Sequence, residues 1–277
     1  DLLSIVANDK LKTEYNMMST NIILVRDDLE GYKINQMIEE LKNIDGVTSV
    51  VGLEDILGAR IPESFIPKEL LKKIKNGGYE VDFCPNHYAG EHFPDTVEKL
   101  RGYDAVFLSD IGSNTLLLSD RVFSYGDTQN NKCTAIRDYV LAGGALCMIG
   151  GYLSFSGIDA RARYGKTAVA DVLPVKILPY DDRCEHPEGV FPTVSNDTHP
   201  LMQGINEEWP CFLARCLPAC KTIAKIDGDP FISVGSFGMG KSAAFTSDCS
   251  PHWASPDFMS WKYYDTFWCN LADWLTK

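Results

Sequence analysis

Between Asp104 and Gly151 two short apolar runs flank one amphipathic stretch. "DAVFLSD" (Asp104–Asp110) and "ALCMIGG" (Ala145–Gly151) read as buried strands. "KCTAIRDYVLAGG" between them reads as a helix with a glycine stop. Strands alternating with helices mean a largely parallel sheet with helices on both sides. The rhythm starts at Tyr79, with "YEVDFCP" as a strand and "FPDTVEKLRGY" as a short helix. "IGSNTLLLSD" reads as a loop, and a proline-rich irregular middle comes after "ALCMIGG". Strands come next near "TIAKID", "PFISVGS" and "KSAAFTSD". The closing "YDTFWCNLADWLTK" is an amphipathic helix with Phe267, Leu271 and Trp274 on one face.

Upstream, "STNIILVR" and "GVTSVVGL" read as strands on either side of a helix in "YKINQMIEELKN". "IPESFIPKELLKKIKNGG" opens a helix near Lys68 that Gly77-Gly78 closes. The change of character at that glycine pair sets a seam. Residues 1–78 are expected as a small β-α-β segment and residues 79–277 as the main domain. The chain opens on "DLLSIVANDK", without a methionine, and reads as a processed product, a deliberately trimmed chain or a fragment.

"GSFGMGKS" (Gly235–Ser242) matches the phosphate-loop pattern G-x-x-x-x-G-K-[ST]. That pattern cradles phosphate only where a helix starts at the Lys-Ser. Here "AAFTSDCSPHW" comes next, a β-like run that Pro251 keeps from continuing as a helix. Strand, glycine turn, strand is a hairpin.

The net charge of −12 supplies no basic stripe for nucleic acid and no attraction to anionic membrane. No apolar run reaches the length of a membrane span. Nine cysteines, odd in number and irregularly spaced, give no zinc pattern and point to a reducing compartment. The sequence calls for no metal and no cofactor.

Ligands of open α/β sheets bind outside the carboxyl ends of the strands. Three such ends carry chemistry. Asp110 leads into Ser113 and Asn114. Gly150-Gly151-Tyr152 is a tight turn. Asp248, Cys249, His252 and Trp253 come after the last strand. A histidine beside carboxylates can move protons near neutrality. Each residue also has a plainer role: Asp110 as a turn cap, the glycines as packing space, His252 as a surface histidine, Cys249 as a small buried side chain. The functional expectation is His252 as acid/base oriented by Asp248 or Asp110. Gly150 and Gly151 would face an oxyanion, and Cys249 is an outside nucleophile. Ser113, Asn114, Tyr152 and Trp253 would line a site for a small-molecule ligand or substrate. A non-catalytic binding module is the alternative, with self-association through Trp253, Trp261, Tyr263, Tyr264 and Trp268.

Residues from about Tyr79 onward resemble the glutamine amidotransferase-like branch of the class I amidotransferase superfamily. "YDAVFLSDIGSNT", "GGALCMIGGYLSFSGI", "LPVKILPYDDRCEHPEG", "THPLMQGI" and "SDCSPHWASPDFMSW" carry the likeness. It implies a flavodoxin-like three-layer sandwich and a cytoplasmic setting. Active members use a Cys–His–Glu triad with the cysteine on a G-x-C-x-G elbow. Here Cys147 lies inside the strand, and the elbow offers Gly151 and Tyr152. Where the family places H-P-E, this chain has Pro251-His252-Trp253. An H-P-E does occur at His186-Pro187-Glu188, in the proline-rich middle, where it reads as coincidence. The resemblance thus implies the fold without the standard triad. Residues 1–78 resemble an extracytoplasmic segment of MMPL-type exporters, through "STNIILVRDDLEGYKINQMIEELKNIDGVTSVVGLEDILG" and "IPESFIPKELLKKIKNGG". A natural fusion, an artefact and a deliberate chimera each fit that pairing.

Overall fold

Helices α1 (Asn86–His92) and α2 (Val97–Leu100) lead into strand β1 (Ala105–Ser109). The computed structural model describes residues 40, 41, 43, 77–217 and 223–277. The chain divides into two compact units, Asp1–Pro62 and Glu63–Lys277. Most of the expected elements of residues 1–78 lie outside the described residues. The elements named here all belong to the second unit.

After β1 come α3 (Ser113–Leu117), α4 (Asp120–Tyr125), α5 (Lys132–Leu141) and β2 (Ala145–Ile149). The Asn131 side chain caps α5 by accepting the Thr134 N–H at 3.0 Å. Gly143, at φ +113, stops the helix in a conformation that other residues resist. Strands β3 (Arg183–Val190), β4 (Thr193–Val194), β5 (Phe212–Cys216) and β6 (Ala224–Ile226) come after a stretch of 3-10 turns. Then come β7 (Asp229–Phe237), β8 (Gly240–Phe245), α6 (Pro256–Met259) and α7 (Tyr264–Thr276).

Six strands form one sheet in the order β1-β2-β8-β7-β6-β4, and β3 pairs with β5 in a separate antiparallel ribbon. The β1–β2 and β2–β8 pairings are parallel, and the other three are antiparallel. Strands β1, β2, β8 and β6 therefore run one way. Every residue of β2 is buried, as a strand covered on both faces requires. Its alternate side chains serve two cores. Leu146 and Met148 pack with Ile136, Tyr139 and Val140 of α5. Ala145, Cys147 and Ile149 pack with Phe267, Trp268 and Leu271 of α7. The second core is strongly aromatic. Phe245 lies 4.9 Å from Phe231 and 5.1 Å from Trp268 between ring centroids.

The phosphate-loop match is a hairpin, as its flanks require. Strands β7 and β8 pair from Ile232↔Phe245 to Phe237↔Gly240, with Gly238 at φ +59 in the turn. Lys241 donates to the Trp274 carbonyl at 3.0 Å, near the carboxyl end of α7, where a cation is favoured.

Several expectations are corrected. Residues 79–85 join no ladder among the described strands, although Tyr79 and Val81 pack on the aromatic core. The segment read as a loop, Ile111–Asp120, contains α3 and the first residue of α4, helices too short for helical periodicity to reveal. The proline-rich middle carries β3, whose Pro187 and half-exposed polar pattern hide it. Trp253, Tyr264 and Trp268 are buried within the unit, so they present no surface for self-association.

Candidate functional site

The parallel register places Ser109, Ile149 and Phe245 side by side. Asp110, Gly150 and Thr246 therefore head three adjacent strands, and Asp248 to Trp253 come directly after. The three segments named from sequence converge at one sheet edge.

Asp110 has a left-handed backbone, φ +47, which costs energy for a residue other than glycine. Three hydrogen bonds hold it there. The Leu153 N–H donates to its Oδ1 at 2.6 Å. Its own N–H donates to Ser154 Oγ at 3.2 Å, and Asn86 Nδ2 donates to its carbonyl at 3.2 Å. Burial raises the carboxyl above its usual range, while the Leu153 N–H and His252 draw it back.

The glycine pair has no room for side chains. A Cβ on Gly150 would sit 2.3 Å from the Thr246 carbonyl oxygen, and one on Gly151 would sit 2.7 Å from Asp110 Oδ1. The Gly150 N–H donates to the Phe245 carbonyl at 2.8 Å. That bond occupies the N–H expected to meet an oxyanion. Irregular turns rather than an α-helix succeed the glycines, so the strand-to-helix elbow of an activated nucleophile does not form. Tyr152 projects from this turn. Its ring lies 5.3 Å from that of buried Trp253 and 5.8 Å from the Arg183 guanidinium.

Asp248 is 5% exposed, and burial pushes its carboxyl up to about 7, with Asp110 adding to the rise. The Ser250 N–H donates to its Oδ1 at 3.1 Å. His252 Nδ1 stands 3.8 Å from the other oxygen, with 45% of the imidazole side chain exposed. The result is a protonatable carboxyl near neutrality beside an imidazole that solvent can reach.

Cys249 is fully buried in the aromatic core, and burial pushes its thiol far up. Its Sγ lies 3.9 Å from Ser109 Oγ. Burial likewise raises the thiols of Cys147 and Cys216. Ser113 is buried at the start of α3, its N–H donating to Ala162 O at 3.0 Å, and Asn114 is exposed on that helix. The structure does not join these two to the carboxylates. Among the described residues no group of three or more His, Cys, Asp or Glu side chains is placed to hold a metal ion.

Sequence reasoning missed Asp182. This buried carboxylate accepts the Ser156 N–H at 3.1 Å and the Gly157 N–H at 2.8 Å, fixing the loop beyond Tyr152. Its signal was the acidic pair in "PYDDRC", which stands before β3 and not after a sheet strand. A separate cleft of about 370 Å³ lies at Glu91, Asp95, Lys99 and Lys132, and the expected site residues do not line it.

No curated protein matches the chain. Among solved structures, a cytoplasmic protein from Salmonella typhimurium is 39% identical, covers 76% of this chain and 87% of its own, and superposes with a TM-score of 0.73. A second cytoplasmic protein, from Salmonella typhimurium LT2, is 44% identical over 76% of this chain and 86% of its own, also with a TM-score of 0.73. The comparisons do not bear on the exporter-like resemblance of residues 1–78. Residues 50–277 match the family model described as "Putative glutamine amidotransferase", and the chain belongs to that family.

Proposed function

We propose that this chain is an amidotransferase-like domain of flavodoxin-like, three-layer design that lacks the Cys–His–Glu triad at its crevice and binds a small molecule there. The observation that carries the reading is the Asp248–His252 pair at the strand ends, 3.8 Å apart. A carboxyl that titrates near 7 beside an imidazole can give or take a proton at neutral pH. His252 is the acid/base and Asp248 orients it, while burial holds the Asp248 proton and the negative field of Asp110 adds to that hold. Gly151 and Tyr152 offer backbone N–H groups to an oxyanion. Among the described residues neither N–H has a backbone acceptor.

Thiol-dependent release of ammonia from glutamine has no support at this crevice. An irregular turn with Tyr152 stands in place of the nucleophile elbow, and the nearby thiols of Cys147, Cys216 and Cys249 are buried and held protonated. The proposed ligand is small, and the exposed ring of Tyr152 suits a planar group, whereas Trp253, expected to line the site, lies buried against that ring and Arg183 is paired with Asp181. The two Salmonella relatives are named as cytoplasmic proteins, and no described helix is long and apolar enough to cross a membrane. We place this chain in the cytoplasm with them.

The test screens small carboxylates and amides for thermal stabilisation, then for turnover. Ligand binding retained in His252→Ala with turnover lost supports the acid/base role. Binding without turnover in the native protein selects the non-catalytic module. Glutaminase activity abolished by alkylating Cys249 overturns the reading.

A further inference from the structure

The H-P-E motif in the proline-rich middle lies on β3, in the part between Glu185 and Val190 where the register against β5 shifts. The residue two places before its histidine is Cys184. Cys184 Sγ lies 3.2 Å from His186 Nε2, and His186 Nδ1 lies 3.6 Å from Glu188 Oε1. Thiol, imidazole and carboxylate thus stand in one line along a strand. The two ring nitrogens are divided between them.

Exposure runs along the same line. Cys184 is half-buried, the His186 side chain is 14% exposed and that of Glu188 is 71% exposed. Directly across the ribbon from Cys184 is Arg215, and facing residues of an antiparallel pair share a face. Arg215 is buried, is held by Asp229 at 3.2 Å and Asp227 at 3.7 Å, and its Nε has no acceptor among the described residues. Nucleophile, base and orienting carboxylate within reach of one another are the geometric signature of an activated thiol.

We propose that Cys184, His186 and Glu188 form a base-assisted thiol site on the β3–β5 ribbon that adds to α,β-unsaturated carbonyl compounds. The Cys184 sulfur bonds to the β-carbon, and the carbon–carbon π pair moves toward the carbonyl. His186 Nε2 takes the thiol proton and returns it to the α-carbon. Glu188 holds the ring while it carries that proton. This reagent class fits because addition has no leaving group to stabilise and needs nothing beyond these three groups.

The test uses the intact chain and N-ethylmaleimide in short pulses, with labelled sites mapped by mass spectrometry. Cys84, Cys211 and Cys269 are also half-buried and serve as internal references. Cys184 is expected to label at least about 10-fold faster than each of them, and His186→Gln to remove that advantage. Glu188→Gln, at an exposed position, is expected to slow Cys184 about 3-fold with the references unchanged. Labelling of Cys184 no faster than the references in the native protein overturns the proposal without any variant. So does a His186→Gln protein in which Cys184 keeps its lead.

Discussion

The strand-end crevice and the β3–β5 ribbon each hold a histidine, a carboxylate and a cysteine, but in opposite environments. At the crevice the carboxylate is buried and the imidazole is half in solvent. On the ribbon the carboxylate is exposed and the imidazole is mostly covered. The crevice cysteine, three residues from His252, is sealed in an aromatic core. The ribbon cysteine touches its imidazole. Nearness in sequence therefore says little about which thiol can react. Desolvation decides it: the crevice stores chemistry in a carboxyl that keeps its proton, and the ribbon stores it in a thiol with a base beside it.

The strongest way to break the comparison is to crowd the crevice floor. Gly150→Ala forces a Cβ to within 2.3 Å of the Thr246 carbonyl. We expect a loss of about 4 kcal/mol or more in urea unfolding, because backbone has no rotamer by which to yield. A loss under about 1 kcal/mol would show that the strand ends can part. Asp182→Ala comes next. It strands the Ser156 and Gly157 N–H groups, and about 3 kcal/mol should be lost, with faster amide exchange at those two positions.

Titration sharpens the contrast further. The folded chain holds the Asp248 proton up to about 7, against an ordinary 3.8. Between those values the folded state binds more protons than the unfolded state. The stability that the protonated carboxyl contributes is complete below the unfolded value and is lost as pH rises through about 7. At about 1.4 kcal/mol per unit the ceiling is about 4 kcal/mol, and we expect about 2 after local relaxation. Asp248→Asn should therefore gain on the native protein by that amount between about pH 4 and pH 8 in urea unfolding series. Parallel curves would place the carboxylate in water. The smallest effect belongs to the ribbon. Glu188→Gln should change stability by less than about 0.5 kcal/mol, since an exposed pair adds little, while labelling of Cys184 slows.

The sequence made the centre of the sheet legible and its margins opaque. β1, β2 and α5 announced themselves because apolar runs and a glycine stop leave few alternatives. The hairpin was readable from the β-like run after Ser242. β3 was not, since a strand with Pro187 and half-exposed polar residues shows no apolar run, and β5, only five residues long, stood unmarked in the proline-rich middle. Without β3 the contacts of His186 with Cys184 and Glu188 could not be seen, and the motif reads as coincidence. At the crevice, Asp110, Asp248 and His252 were found because a simple rule points to strand ends. Asp182 escaped it because it reaches the same loop from a segment outside the sheet.

Asp110 and Asp182 grip the loop after β2 by its backbone, one at Leu153 and the other at Ser156 and Gly157. Tyr152 sits just ahead of the first grip, and its side chain forms no part of either. The shape of that loop is thus set by two distant acids, whereas the ring it carries at the proposed site comes from a single position that neither acid holds. A lineage could exchange the tyrosine, and with it the preferred guest, while the frame around it stayed as it is.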